Sequence, residues 1–98
     1  MADAKFSLGR VVATPGALAA LQEAGQSAES FLILHAGGKW GEVPPEDQEV
    51  NDQAIAHEGD PDRQQRVLSS YLTRKQVKLW VITEWDRSVT TLLLPEEY

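Results

Sequence analysis

The chain has 98 residues, 42% of them hydrophobic, a formal net charge of -6 and no cysteine. That length fits a single domain, residues 1–98, with one core, and the hydrophobic content excludes bulk disorder. The lack of cysteine excludes a disulfide framework, a thiolate metal site and a thiol nucleophile, and the net acidity counts against ordinary phosphate-backbone binding.

Met1 to Phe6 shows no basic patch followed by an apolar stretch, so no leader segment is expected. Phe6 to Ala13 reads as a short strand weakened by Gly9. Thr14-Pro15-Gly16 then opens a helix, with Thr14 as cap and Pro15 in the first turn. Ala17, Leu18, Leu21 and Ala24 form its apolar stripe, and Gly25 stops it. Ser27 to Leu34 is expected to be a second helix, with Glu29 in its first turn and Gly37-Gly38 ending it. Gly38 to Gly41 is a turn. A third helix runs from Pro45 towards Gly59, with Val50, Ala54 and Ile55 as its apolar stripe and acids at its start.

After the loop at Gly59 to Asp62 the pattern turns β. Arg66–Thr73, Val77–Glu84 and Val89–Leu94 carry the β-branched and aromatic residues of strands, with connections short enough for antiparallel hairpins. Leu79-Trp80-Val81-Ile82 is apolar on both faces, which predicts a central strand covered on each side, with Trp80 in the core. The expected fold is α+β, N-terminal helices packed on a C-terminal antiparallel sheet of three to four strands. No apolar run is long enough to span a bilayer, so no membrane contact and a cytoplasmic location are expected.

Charge is unevenly placed. Between Glu42 and Asp62 there are eight acids and no Lys or Arg, and from Arg63 to Lys78 there are five cations and no acid. The plain reading is an acidic solvated helix beside a basic strand. The sharper one is a nucleic-acid mimic built on residues 42–62.

Several segments resemble a family of short proteins found on plasmids and other mobile elements, some of which carry a label borrowed from type I restriction subunits. The resemblance lies in Thr14-Pro15-Gly16-Ala17, His35 with Gly38, Trp40-Gly41-Glu42, Asn51, Arg66 with Ser69 and Tyr71, and Trp80 to Glu84 with Asp86 to Thr91 and Leu93 to Tyr98. The family places an arginine before the histidine and an aspartate before the tryptophan, where this chain has Leu34 and Lys39. A role needing those two residues is therefore not implied. The resemblance implies a mobile-element context and no mechanism.

Glu84-Trp85-Asp86-Arg87-Ser88 is unusual for a hairpin, whose turn favours Asn-Gly or Asp-Gly. One reading makes Asp86 a cap for the turn amides and Arg87 the partner of a carboxylate. The other makes Arg87 a planar fork for an anionic ligand, aided by Ser88 and Thr90. His35, Arg87 and Thr90 are the catalytic candidates, His35 because its ordinary pKa lies near neutrality. Trp40, Asn51, Asp86 and Arg87 are the ligand-binding candidates, with Trp40 expected to be partly exposed between its glycines and Asn51 to be a solvated helix position. Trp85 is expected to be exposed as a binding anchor.

His57, Asp60 and Asp62 match no established metal-ligand spacing, and no cofactor is expected. The first functional expectation is an accessory or regulatory protein that binds a protein or an anionic small molecule near Asp86-Arg87. The second is a small metal-independent enzyme acting on RNA or a nucleotide through His35 and Arg87. The doubly apolar central strand also allows a homodimer.

Overall fold

The computed structural model describes residues 4–98, so Met1 to Asp3, on which the expectation of no leader partly rests, lie outside it. The elements run β1 (Arg10–Ala13), α1 (Pro15–Ala24), α2 (Ala28–Ala36), α3 (Pro45–Ala56), β2 (Val67–Leu72), β3 (Lys78–Thr83) and β4 (Val89–Leu93), then a 3-10 turn at Pro95–Glu97. The fold is α+β, with one four-stranded sheet in the order β1-β4-β3-β2.

The sheet is mixed. β2, β3 and β4 form the expected antiparallel hairpins, but β1 lies parallel to β4. All three helices separate β1 from the hairpins in sequence, and such a long crossover, unlike a hairpin, allows a parallel neighbour. β1 is also shorter than expected. Gly9 has φ +62°, which ends the extended run, and a Cβ there would lie 2.3 Å from the Arg87 carbonyl oxygen.

α1 starts as its residues dictate. Thr14 Oγ1 accepts from the Ala17 N–H at 3.2 Å, and Gly25 closes the helix in the left-handed region. Its buried face is Ala17, Ala20, Leu21 and Ala24, whereas Leu18, expected in the stripe, points to solvent. α2 turns Phe31, His35 and Ala36 inward. In α3 the buried positions are Asn51 and Ala54, and Val50 is exposed, contrary to the apolar stripe expected there.

One face of the sheet is enclosed over β2, β3 and β4. Ser69 and Tyr71 of β2, Val81 and Leu79 of β3, and Leu92 of β4 point to it in register. Ala17 and Leu21 of α1 and Phe31 of α2 pack on Tyr71, Leu79, Val81 and Leu92. A second apolar cluster joins Phe6, Trp40, Val43, Ala54 and Val67. On the opposite face Ser70, Ile82 and Leu93 are also buried, but the cover is incomplete. Trp80 is half-buried, against the expectation of a core position, and meets the edge of Tyr98 at a 5.9 Å centroid distance.

The last turn is pinned to α1. The Glu97 carboxylate accepts from Thr14 Oγ1 at 2.5 Å, from the Leu94 N–H at 2.8 Å and from the Gly16 N–H at 3.1 Å. The Thr14 hydroxyl, followed by the Leu94 and Gly16 amides, holds this carboxyl below its ordinary pKa. An acid at a helix N-terminus is also favoured by the helix dipole.

Candidate functional site

The chemically suggestive residues occupy three places. The first is a buried polar line on the enclosed face. His35 reaches it from α2, Ser69 from β2, Thr83 from β3 and Thr90 from β4. All four are buried.

From Thr90 to His35 Nε2 the hydrogen bonds along this line take one direction. Thr90 Oγ1 donates to the Leu8 carbonyl at 2.7 Å, so its single proton is committed. Across the 2.6 Å contact with Thr90, Thr83 must then be the donor. Its own proton being spent, Thr83 accepts from the Nε2–H of His35 at 2.9 Å. In the neutral ring His35 Nδ1 then accepts from the Ser69 hydroxyl at 2.5 Å. His35 thus carries a proton on Nε2 and is held at both nitrogens.

The surroundings enforce neutrality. Phe6 and Trp40 meet the His35 ring edge-on, at centroid distances of 5.2 and 5.9 Å. Burial first, and the Arg87 charge second, push the His35 pKa down to about 3. The residue has no solvent exposure. A general base must come within about 3 Å of its substrate proton. Here both nitrogens already face side chains of the core.

The second place is the β3–β4 turn. The Arg87 N–H donates to the Glu84 carbonyl at 2.9 Å, closing a four-residue turn, and Arg87 itself has φ +61°. A turn followed by a left-handed residue is a common hairpin connection, and glycine usually takes the left-handed position. The β2–β3 turn repeats the pattern, with Gln76 at φ +65° and its N–H bonded to the Thr73 carbonyl. Asp86 Oδ1 accepts from the Ser88 N–H at 3.0 Å, and Ser88 holds its carboxyl below the ordinary pKa.

What offsets the strained backbone at Arg87 is its side chain. Nε and Nη2 clasp Glu58, the closest contact being 2.7 Å. Nη1 donates to the carbonyls of Gln65 at 2.8 Å and Glu84 at 3.0 Å. The guanidinium also lies 5.4 Å from the centre of the Phe6 ring. Arg87 is buried, so the fork expected at an anionic ligand is closed on Glu58 and on backbone carbonyls. Trp85, by contrast, is 54% exposed, and its carbonyl accepts from Gln64 Nε2 at 2.6 Å.

The third place is the outer edge of β2. Asn51 Nδ2 donates to the Leu68 carbonyl at 2.8 Å, and its Oδ1 accepts from the Leu68 N–H at 3.2 Å. The amide thus copies a strand neighbour, and Asn51 is buried rather than solvated. One step along, the Ser70 N–H donates to the Trp40 carbonyl and the Glu42 N–H donates to the Ser70 carbonyl. Trp40 is buried too, against the expected partial exposure, with its Nε1–H donating to Asp52 at 2.9 Å. Together they cover an edge that would otherwise present open backbone groups.

Replacing Asn51 with alanine is expected to cost about 2 kcal/mol by leaving both Leu68 groups unpaired. Asn51→Asp should be no better at pH 7, because it sets a carboxylate against the Leu68 carbonyl. Urea denaturation of both variants checks this.

The expected residues therefore fall in three places, with the Phe6 ring packed against His35, Trp40 and Arg87 between them. His35 and Thr90 share the buried line, Asp86 and Arg87 the turn, and Asn51 and Trp40 the β2 edge. A cleft of about 210 Å³ is lined by Asp47, Val50, Asn51, Gln65, Arg66 and Leu68, and of the expected site residues it contains Asn51 alone. Among the described residues, no group of three His, Asp or Glu side chains is placed to hold a metal ion, and no helix is long and apolar enough to cross a membrane.

Three structural partners escape the sequence reading: Ser69, Thr83 and Glu58. Ser69 and Thr83 sit at inward positions by strand alternation, a signal that was present. Nothing in the order of residues links Glu58 to Arg87. Comparison with protein-family models, with curated proteins and with solved structures finds no match to this chain.

Proposed function

We propose that the chain is a non-enzymatic accessory or regulatory protein of mobile elements, acting in the cytoplasm. It engages a protein partner through the β3–β4 turn, with Trp85 as the anchor. One observation carries this reading: a tryptophan 54% exposed on a turn braced by the hydrogen bonds of Arg87. An exposed large aromatic on a preorganised turn loses little entropy on binding, which is what binding hot spots need. His35, Arg87 and Thr90, which would serve an enzyme, are buried and hydrogen-bonded to other groups of the fold. Two of the acids that a nucleic-acid mimic would use, Asp52 and Glu58, are engaged with Trp40 and Arg87.

The test places a photo-crosslinking amino acid at Glu84, beside an intact Trp85, in the cells that produce the protein. A discrete adduct is expected, suppressed by excess wild-type protein and not by excess Trp85→Ala. Competition by both proteins alike, or no saturable adduct, contradicts the reading. Trp85→Ala should weaken partner binding by roughly 30-fold or more while changing stability by less than about 0.5 kcal/mol.

A further inference from the structure

The two edges of the sheet are treated differently. β2 is covered by Asn51 and by the Trp40–Glu42 segment, whereas β1 forms the opposite edge. The Arg10 N–H donates to the Ser88 carbonyl and the Thr14 N–H to the Leu92 carbonyl, both at 3.0 Å. In this parallel register residues 10, 12 and 14 direct their backbone groups at β4, and Val11 and Ala13 direct theirs outward. Among the described residues, those outward N–H and C=O groups have no hydrogen-bond partner. Val11 is 43% exposed.

We propose that this edge pairs with β1 of a second copy of the chain, antiparallel and centred on Val12. The register follows from which groups are available. With Val12 opposite Val12, Val11 pairs with Ala13 of the second copy and Ala13 with its Val11, so every outward group finds a partner in four hydrogen bonds. A shift towards the chain's start sets Ala13 against Gly9, whose N–H already donates to Ser7 Oγ and whose φ is +62°. A shift the other way sets Val11 against Pro15, which has no N–H.

Charge complementarity selects the same partner. In the Val12-centred register Arg10 lies opposite Thr14 of the second copy, and Thr14 carries the Glu97 carboxylate at 2.5 Å. Arg10 and Thr14 project to the same face by strand alternation. Arg10 is exposed and makes no ion pair among the described residues. The two-fold axis brings two Arg10–Glu97 pairs together, one at each end of the contact. On the other face Val11 meets the small side chain of Ala13.

The experiment combines sedimentation equilibrium with site-specific oxidation. The wild-type protein is expected to dimerise reversibly, and more weakly at high salt. Val11→Pro removes an outward N–H without touching the β4 bonds, and Arg10→Glu sets like charges against Glu97. Each should raise the dimer Kd at least roughly tenfold with the circular dichroism spectrum unchanged, and Trp85→Ala should leave it alone. The chain has no cysteine, so Val12→Cys gives a clean probe. Directly opposed residues of a non-hydrogen-bonded pair lie about 4.5 Å apart at Cα, within disulfide range. Val12→Cys should therefore oxidise to a covalent dimer at least roughly tenfold faster than Leu72→Cys, on the opposite edge strand. A wild-type protein monomeric at about 1 mM, a dimer indifferent to both Val11→Pro and Arg10→Glu, or equal oxidation at positions 12 and 72 would overturn the proposal.

Discussion

Arg87→Ala is expected to destabilise the fold by about 3 kcal/mol or more, the largest loss from any single surface-loop substitution in this chain. The guanidinium side chain is 6% exposed and serves Glu58 and two backbone carbonyls at 3.0 Å or less. Its removal strands the carbonyls of Gln65 and Glu84 and leaves Glu58 without its cation. The Glu58 side chain is 28% exposed, so water recovers part of that cost, which keeps the estimate at the lower end for a broken buried pair. Arg87→Lys keeps the charge but not the fork, and should fall between wild type and alanine. Arg87→Gly relieves the left-handed backbone and should be up to about 1 kcal/mol more stable than Arg87→Ala. Urea midpoints of the three variants give the order Lys, Gly and Ala against wild type. If Arg87→Ala were as stable as wild type, the turn would not be held by this network.

His35→Leu is expected to cost about 2–4 kcal/mol at pH 7, because Ser69 loses its acceptor and Thr83 its donor inside the core. The loss should shrink in acid. The His35 pKa in the folded protein, about 3, lies below the ordinary 6.5, so between those values the unfolded chain binds a proton that the native state refuses. His35 burial is therefore fully tolerated above about pH 6.5, and the wild type loses about 1.4 kcal/mol per unit as pH falls towards 3. The leucine variant lacks this slope. At pH 5 the gap between the two proteins should be smaller by about 2 kcal/mol than at pH 7. Parallel stability curves for the two proteins over pH 7 to 5 would show that His35 is not buried in its neutral form. Carboxylates such as Glu97 and Asp86, both held below their ordinary pKa, contribute alike to the two proteins and cancel in the comparison.

Local patterns foretold the local structure. The Thr14 cap, Pro15, Gly25 and the interior place of β3 in the sheet are where their chemistry requires, and three helices precede three consecutive strands. The expected exposure of Trp85 and the Asp86 cap on the turn amides are both present. What local patterns do not contain is the partner across the chain. Arg87 finds Glu58 from 29 positions away, and His35 finds Thr83 from 48. Two errors share that cause. Asn51 and Trp40 read as surface residues because their duty, closing the β2 edge, arises only once helix and strand have met. The parallel pairing of β1 is likewise decided by where a long crossover returns, and no short pattern states that.

The same contrast bears on the turn from Glu84 to Ser88. Its composition is odd for a hairpin because Arg87 stands where glycine is usual, and the guanidinium network outweighs the backbone strain.

The most direct measurement is the ring state of His35, read from long-range proton–nitrogen correlation spectra of the ¹⁵N-labelled protein between pH 7.5 and 4.5. A neutral ring with the proton on Nε2, unchanged in chemical shift for as long as the protein stays folded, is the predicted result. A His35 ring that titrates in the folded protein near pH 6.5, or carries its proton on Nδ1, would contradict the account and return His35 to the candidates for catalysis.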